Sequence, residues 1–155
     1  MSGYEISAII DDLERGYDGD AWHGPPLRKV LDGVTAETAS ARPVPSGHSI
    51  WEIVFHLADC HDVVVRRIEE RRAIEEPEIS DVPADIDTRD TAWIAALSEL
   101  HRQHLRLIEA ASNIDVTKLR EPVVGKSYDV GHMLRGVVQH MAYHAGQIAL
   151  IRKLS

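Results

Sequence analysis

Two histidines four residues apart, His140 and His144, lie in the otherwise apolar run "VVQHMAYHAGQI". On an α-helix, residues i and i+4 stand one above the other on one face, so the two imidazoles point the same way and can share a ligand. A leucine at either position would stabilise a buried stripe unaided, whereas a buried imidazole must find a partner. A metal ion serves both at once. Imidazole suits zinc, nickel, iron or copper, and a catalytic centre usually takes three protein ligands and keeps a position open for water or substrate. No glutamate follows His140, so the H-E-x-x-H pattern of a metalloprotease helix is absent.

The third ligand has to come from another helix. "SIWEIVFHLADCHD" offers His56, two turns into a helix and on the side shared with Glu52, Ile53, Cys60 and Val63. His61 is the competitor, but it falls nearer the Leu57, Val64 and Ile68 stripe, where a core histidine is expected. Around these stand residues with two readings each. Glu52 is a candidate base one turn before His56, and a helix cap would also account for it. Gln147, one turn past His144, either orients a ligand or is a surface amide. Cys60, one turn past His56, is a fourth ligand or a small buried hydrophobe. In "AWHGPP", His23 is a candidate acid/base or substrate contact aimed over the bundle mouth, unless the stretch is a structural corner around a packed Trp22. His48, His101, His104 and His132 have no comparable spacing and are expected at the surface, in caps or in the core.

Four long segments with a helical period must position these groups, and nothing alternates at period two. The first runs from about residue 4 to 17, with Ile6, Ile9, Ile10 and Leu13 as its stripe. Ser49 and Glu52 fit an S-x-x-E capping box that opens the second, expected to reach about Ile74 before Pro77 stops it. The third spans about residues 89 to 112, and the fourth begins after Asp129, a suitable N-cap, and lasts to about Lys153. The long connection between the first two, with Pro25, Pro26, "LRKVL" and "TAETASA", reads as an ordered cap across one end of the bundle.

With 155 residues, one domain over 1–155 suffices. The net charge of -8 argues against a binder of nucleic-acid backbones; "RRIEERR", its acids interleaved, reads as a solvated helix face. A single cysteine excludes an intramolecular disulfide framework and suits a reducing compartment. The N-terminus lacks the basic and apolar regions of a secretory signal, and no run approaches the roughly 18 to 20 apolar residues of a membrane span. A cytoplasmic protein without membrane or nucleic-acid partners is expected. Val63, Val64 and Val65 cover more than half a helix's circumference at about 100 degrees per residue, so the surplus apolar surface is expected to meet the cap or a second copy of the chain.

The segments "DAWHGPPLRKVL", "PVPSGHSIWEIVFHLADC" and "VVQHMAYHAGQIALIRK" resemble the DinB/YfiT-like family of metal-dependent proteins. The resemblance implies an all-α, up-down-down-up four-helix bundle, commonly a homodimer, with a divalent transition metal, zinc or nickel, held by one histidine of the second helix and two of the fourth. By position these are His56, His140 and His144. Similar proteins use such a metal to activate a low-molecular-weight thiol such as bacillithiol or mycothiol, and the same ion would also support hydrolysis. Two functions follow: a metal-dependent hydrolase or thiol-dependent transferase acting on a small molecule, or a non-catalytic module whose metal staples two helices. An open coordination position beside a pocket favours the first, and a closed site with Cys60 or Glu52 as fourth ligand favours the second. A third reading, a metal-free bundle that binds an apolar ligand, requires the three histidines to lie apart.

Overall fold

Side-chain caps set where the helices begin. The Ser49 hydroxyl accepts from the Glu52 amide while the Glu52 carboxylate accepts from the Ser49 N–H, the reciprocal capping box read from the sequence. Asp129 accepts from the His132 amide, and Thr35 from that of Thr38. The computed structural model describes residues 3–155 and holds six α-helices: α1 (Gly3–Asp18), α2 (Leu27–Leu31), α3 (Ala36–Ser40), α4 (Ile50–Glu70), α5 (Asp90–Ser112) and α6 (Val130–Leu154). Short 3-10 turns lie at Ile79–Asp81 and Val116–Arg120, and no strand occurs among the described residues.

Long apolar stripes bring the four long helices together. Helix α1 packs on α5 and α6, and α4 packs on the same two, closing a ring around Trp51, Leu57, Leu100, Leu107, Leu134 and Met141. The connection between α1 and α4 is ordered as expected. Its α2 rests on α1 and α6, its α3 on α4 and α5, so it covers both halves of one bundle end. Trp93 Nε1 donates to Val34 O at 2.7 Å and Arg152 donates to Val30 O at 2.7 Å, tying the cap to α5 and α6.

Two expectations are corrected. Helix α4 stops at Glu70, before Ile74, and Arg71 adopts the left-handed φ of 51°. The Arg67 guanidinium, its side chain 2% exposed, donates to Ile74 O and to Glu76 Oε1 at 2.9 Å. A continuing helix would carry Ile74 about 10 Å further along the axis, so these bonds require the chain to turn back. The valine triplet is not a surface patch either: Val63, Val64 and Val65 are all buried within the one chain. They supply no support for a dimer. Among the described residues no helix is long and apolar enough to cross a membrane.

A second set of histidines belongs to the core. His61 is fully buried and its Nδ1 donates to Leu57 O at 2.7 Å, leaving Nε2 without a partner. Its ring centroid lies 5.7 Å from that of His104, which stacks on Tyr17 at 3.9 Å and whose Nδ1 is also unpartnered. Burial pushes His61 down to about 4; burial, then the neighbouring His61 and His101, push His104 down to about 3. Both are neutral in the fold and take up protons once the chain unfolds, so the unfolded state binds more protons in acid and stability rises with pH. Unfolding by denaturant should therefore show full stability above the ordinary histidine pKa of about 6.5 and progressive loss from there toward pH 4. His104→Phe, which keeps the stack on Tyr17, should flatten that slope; an unchanged slope would clear His104 of the effect.

Candidate metal centre

The seam between α4 and α6 brings together the three histidines singled out by spacing. On α4, His56, Cys60, Val63 and Arg67 recur at helical intervals along one stripe, and on α6 the matching stripe is Met133, Val137, His140 and His144. His56 Nε2 lies 3.2 Å from His140 Nε2, which lies 2.9 Å from His144 Nε2. One ring nitrogen from each of the three falls within 4.8 Å of the others, and among the described residues these form the one such group of potential ligands. Tetrahedral ligands at the usual zinc–nitrogen distance of about 2.0–2.1 Å sit about 3.3 Å from one another, so the separations fit a shared ion.

The electrostatics favour lone pairs facing the centre. Burial lowers the pKa of all three histidines: His140 falls to about 4 through burial and then His144, His56 and His61, while His48 adds to the effect on His56 and Asp81 opposes it. Near neutral pH the three are uncharged imidazoles, the form that binds metal. His144 Nδ1 donates to Gln147 Oε1 at 2.6 Å, and Gln147 Nε2 donates to Tyr143 OH at 3.2 Å. Because an amide oxygen can only accept, this bond puts the proton of His144 on Nδ1 and turns the bare Nε2 toward the other two rings. Gln147 is therefore a positioning residue.

The other sequence candidates are placed elsewhere. Cys60 Sγ lies 3.6 Å from His56 Nε2, outside the converging group, and burial pushes its thiol up to about 12. Both oxygens of Glu52 are committed, Oε1 to Arg42 at 2.5 Å and Oε2 to the Ser49 N–H at 2.7 Å. Burial works against its charge, but these bonds outweigh it and hold the carboxyl below its ordinary range. His23 lines a cleft between α1 and α6, with Asp12, Val138 and Gln139, and is not brought to the three histidines. Trp22 beside it is fully exposed, so no packed tryptophan builds a corner there. His61 stays in the core, and the reading that needed the three histidines apart falls.

A cleft of about 340 Å³ opens from His56 and His140 and runs down the α4–α6 seam to Arg67, Glu76, Tyr128 and His132. Arg67 donates to Tyr128 OH at 3.2 Å, which donates to Glu76 Oε1 at 2.9 Å. Glu76 is held down to about 2, chiefly by its bond from Arg67. Sequence reasoning missed this network, since Tyr128 lies 61 and 52 positions from its partners. Within "RRIEERR", expected on a solvated helix face, Arg67 instead has a side chain only 2% exposed.

A family model described as the DinB superfamily matches residues 22–148, a span that holds all three histidines. The chain belongs to the DinB superfamily. A comparison with curated proteins finds none that matches.

Gln147→Leu removes the acceptor of His144 without touching the three rings. It should leave helicity intact and weaken divalent-metal affinity by about 10- to 100-fold, read by competition with a chromogenic chelator. Unchanged affinity would show that Gln147 does not orient His144.

Proposed function

We propose that this protein is a metal-dependent enzyme acting on a small molecule, in which His56, His140 and His144 hold a divalent transition metal, zinc or nickel. The observation that carries this reading is the convergence of three neutral imidazoles, with no fourth potential ligand in the group among the described residues, at the head of an open cleft. Three protein ligands leave a coordination position for water or substrate, the arrangement of catalytic rather than structural sites. When bound, such an ion supplies a Lewis acid and lowers the pKa of a coordinated water or thiol. The chain's own residues hold the donors neutral by burial, fix the tautomer of His144 through Gln147, and offer substrate a walled approach on the His56 and His140 side. Hydrolysis and transfer to a low-molecular-weight thiol both use these features. The homodimer implied by the family resemblance and a cytoplasmic setting stay part of this reading, without the valine triplet as the contact.

A second reading, a metal that staples α4 to α6 without catalysis, is favoured by the 3.6 Å approach of Cys60 to His56, from which a small rotation could bring sulfur in as a fourth ligand. Elemental analysis of untagged protein, followed by turnover assays with thiol-plus-electrophile and ester panels, separates the two. Stoichiometric metal with turnover is expected, and His56→Ala, His140→Ala and His144→Ala should each lose metal and activity together while keeping most helicity, because the apolar stripes stabilise the bundle. His61→Leu should keep its metal. Stoichiometric metal with no turnover on any panel would favour the staple.

A further inference from the structure

The cleft below the three histidines has a definite chemistry along its length. Its upper end is formed by His56, His140 and Cys60, all partly exposed to it. Its walls are hydrocarbon, from Val63 and Val64 on α4 and Met133 and Val137 on α6, with Pro77 beside them. Its lower end is the Arg67–Glu76–Tyr128 network. From His56 to Arg67 the helix rises about 16 Å, which makes the cleft long and narrow rather than round. Gly136 lines it from α6, and a Cβ built there meets no atom within 4 Å, so the wall is open space at its middle and not closely packed core.

The lower end looks like an anion site but is not one. All the described donor contacts of Arg67 go to protein: Nε and one terminal nitrogen to Ile74 O, the other terminal nitrogen to Glu76 and Tyr128. Glu76 is ionised and also takes Lys126 at 2.7 Å. Lys126 also lies 3.6 Å from Glu75, so two cations face two carboxylates, and a carboxylate or phosphate entering the cleft would lose its hydration and find no free cation. A hydrocarbon entering it gains from burial along the whole length. Continuity with the histidine centre says which end of that molecule reacts.

We propose that the cleft seats the substrate, and that the substrate is a small molecule with an uncharged, slender, predominantly hydrocarbon body whose polar reacting end reaches His56 and His140. This rests on the reading of the three histidines as a metal centre and narrows it: of the two molecules a thiol transfer would join, the cleft fits the apolar electrophile and not a polar thiol. Substitution at Gly136 blocks the seat without touching a donor.

The test is calorimetric binding of a series of hydroxamates, which pair a metal-binding head with an alkyl tail, to zinc-loaded protein. From acetohydroxamate to octanohydroxamate, affinity should rise about three- to fourfold per methylene. A tail ending in a carboxylate should bind at least tenfold more weakly than its methyl-ended counterpart. In Gly136→Leu the dependence on tail length should vanish while acetohydroxamate, too short to enter, keeps its affinity; the wild-type series decides alone if that variant does not fold. Affinity independent of tail length in zinc-loaded protein overturns the proposal and leaves the metal centre standing. If the protein takes up no zinc, the enzyme reading fails by itself and the series on metal-free protein judges the cleft. There, a length dependence abolished by Gly136→Leu upholds the seat, and a flat series overturns it.

Discussion

The site depends on one constraint: three imidazoles are placed in a helix seam where burial keeps them from taking protons. A buried polar group left unpaired costs about 1–3 kcal/mol, and without an ion the Nε2 atoms of these three rings have only one another, at 3.2 and 2.9 Å, and the Cys60 sulfur, at 3.6 Å, as partners. Neutrality turns that cost into capacity. With His140 and its neighbours uncharged and the Nδ1 of His144 committed to Gln147, the Nε2 lone pair of His144 faces the other two rings. A cation placed there satisfies all three at once, and the same desolvation that suppresses protonation strengthens its hold.

The core histidines His61 and His104 show that burial alone does not make a site. They too are neutral, and each has an unpartnered nitrogen, yet no third donor converges on them among the described residues. What separates the two sets is register. His140 and His144 share one face of α6 and meet His56 on the facing stripe of α4, whereas His61, five positions along, is turned into the helix packing. A ligand set on the interior of long packed helices, with the cap tied down through Trp93 and Arg152, is held by rigid elements rather than by loops.

This register is why so much of the site was legible in the sequence. Spacing of four residues on one helix, a capping box that fixes where α4 begins, and apolar stripes that fix which side faces inward are all local features, and local periodicity reports them. The choice of His56 over His61 follows from the stripe alone. The remainder depends on contacts between distant segments. The early end of α4 is set by Arg67 bonding forward to Ile74 and Glu76, and the floor of the cleft needs Tyr128 from the far side of the chain. All three valines are buried, which takes in more of the helix's circumference than a single apolar stripe covers. That His23 lines a separate cleft between α1 and α6 could not be read from the sequence for the same reason, since a loop's aim is set by what it packs on. Membership of the DinB superfamily defines the scaffold, while the chemistry has to be argued from the seam and its cleft.

The central claim is an open centre of three histidines. It is tested most directly by X-ray absorption at the metal edge of stoichiometrically zinc-loaded, untagged protein. Three imidazole nitrogens at about 2.0–2.1 Å, a light oxygen scatterer completing the shell, and no sulfur are expected. A sulfur scatterer at about 2.3 Å would mean that Cys60 closes the site, and a shell without three imidazoles would mean that the convergence of His56, His140 and His144 is not a metal centre. Either result would rule out an open three-histidine centre.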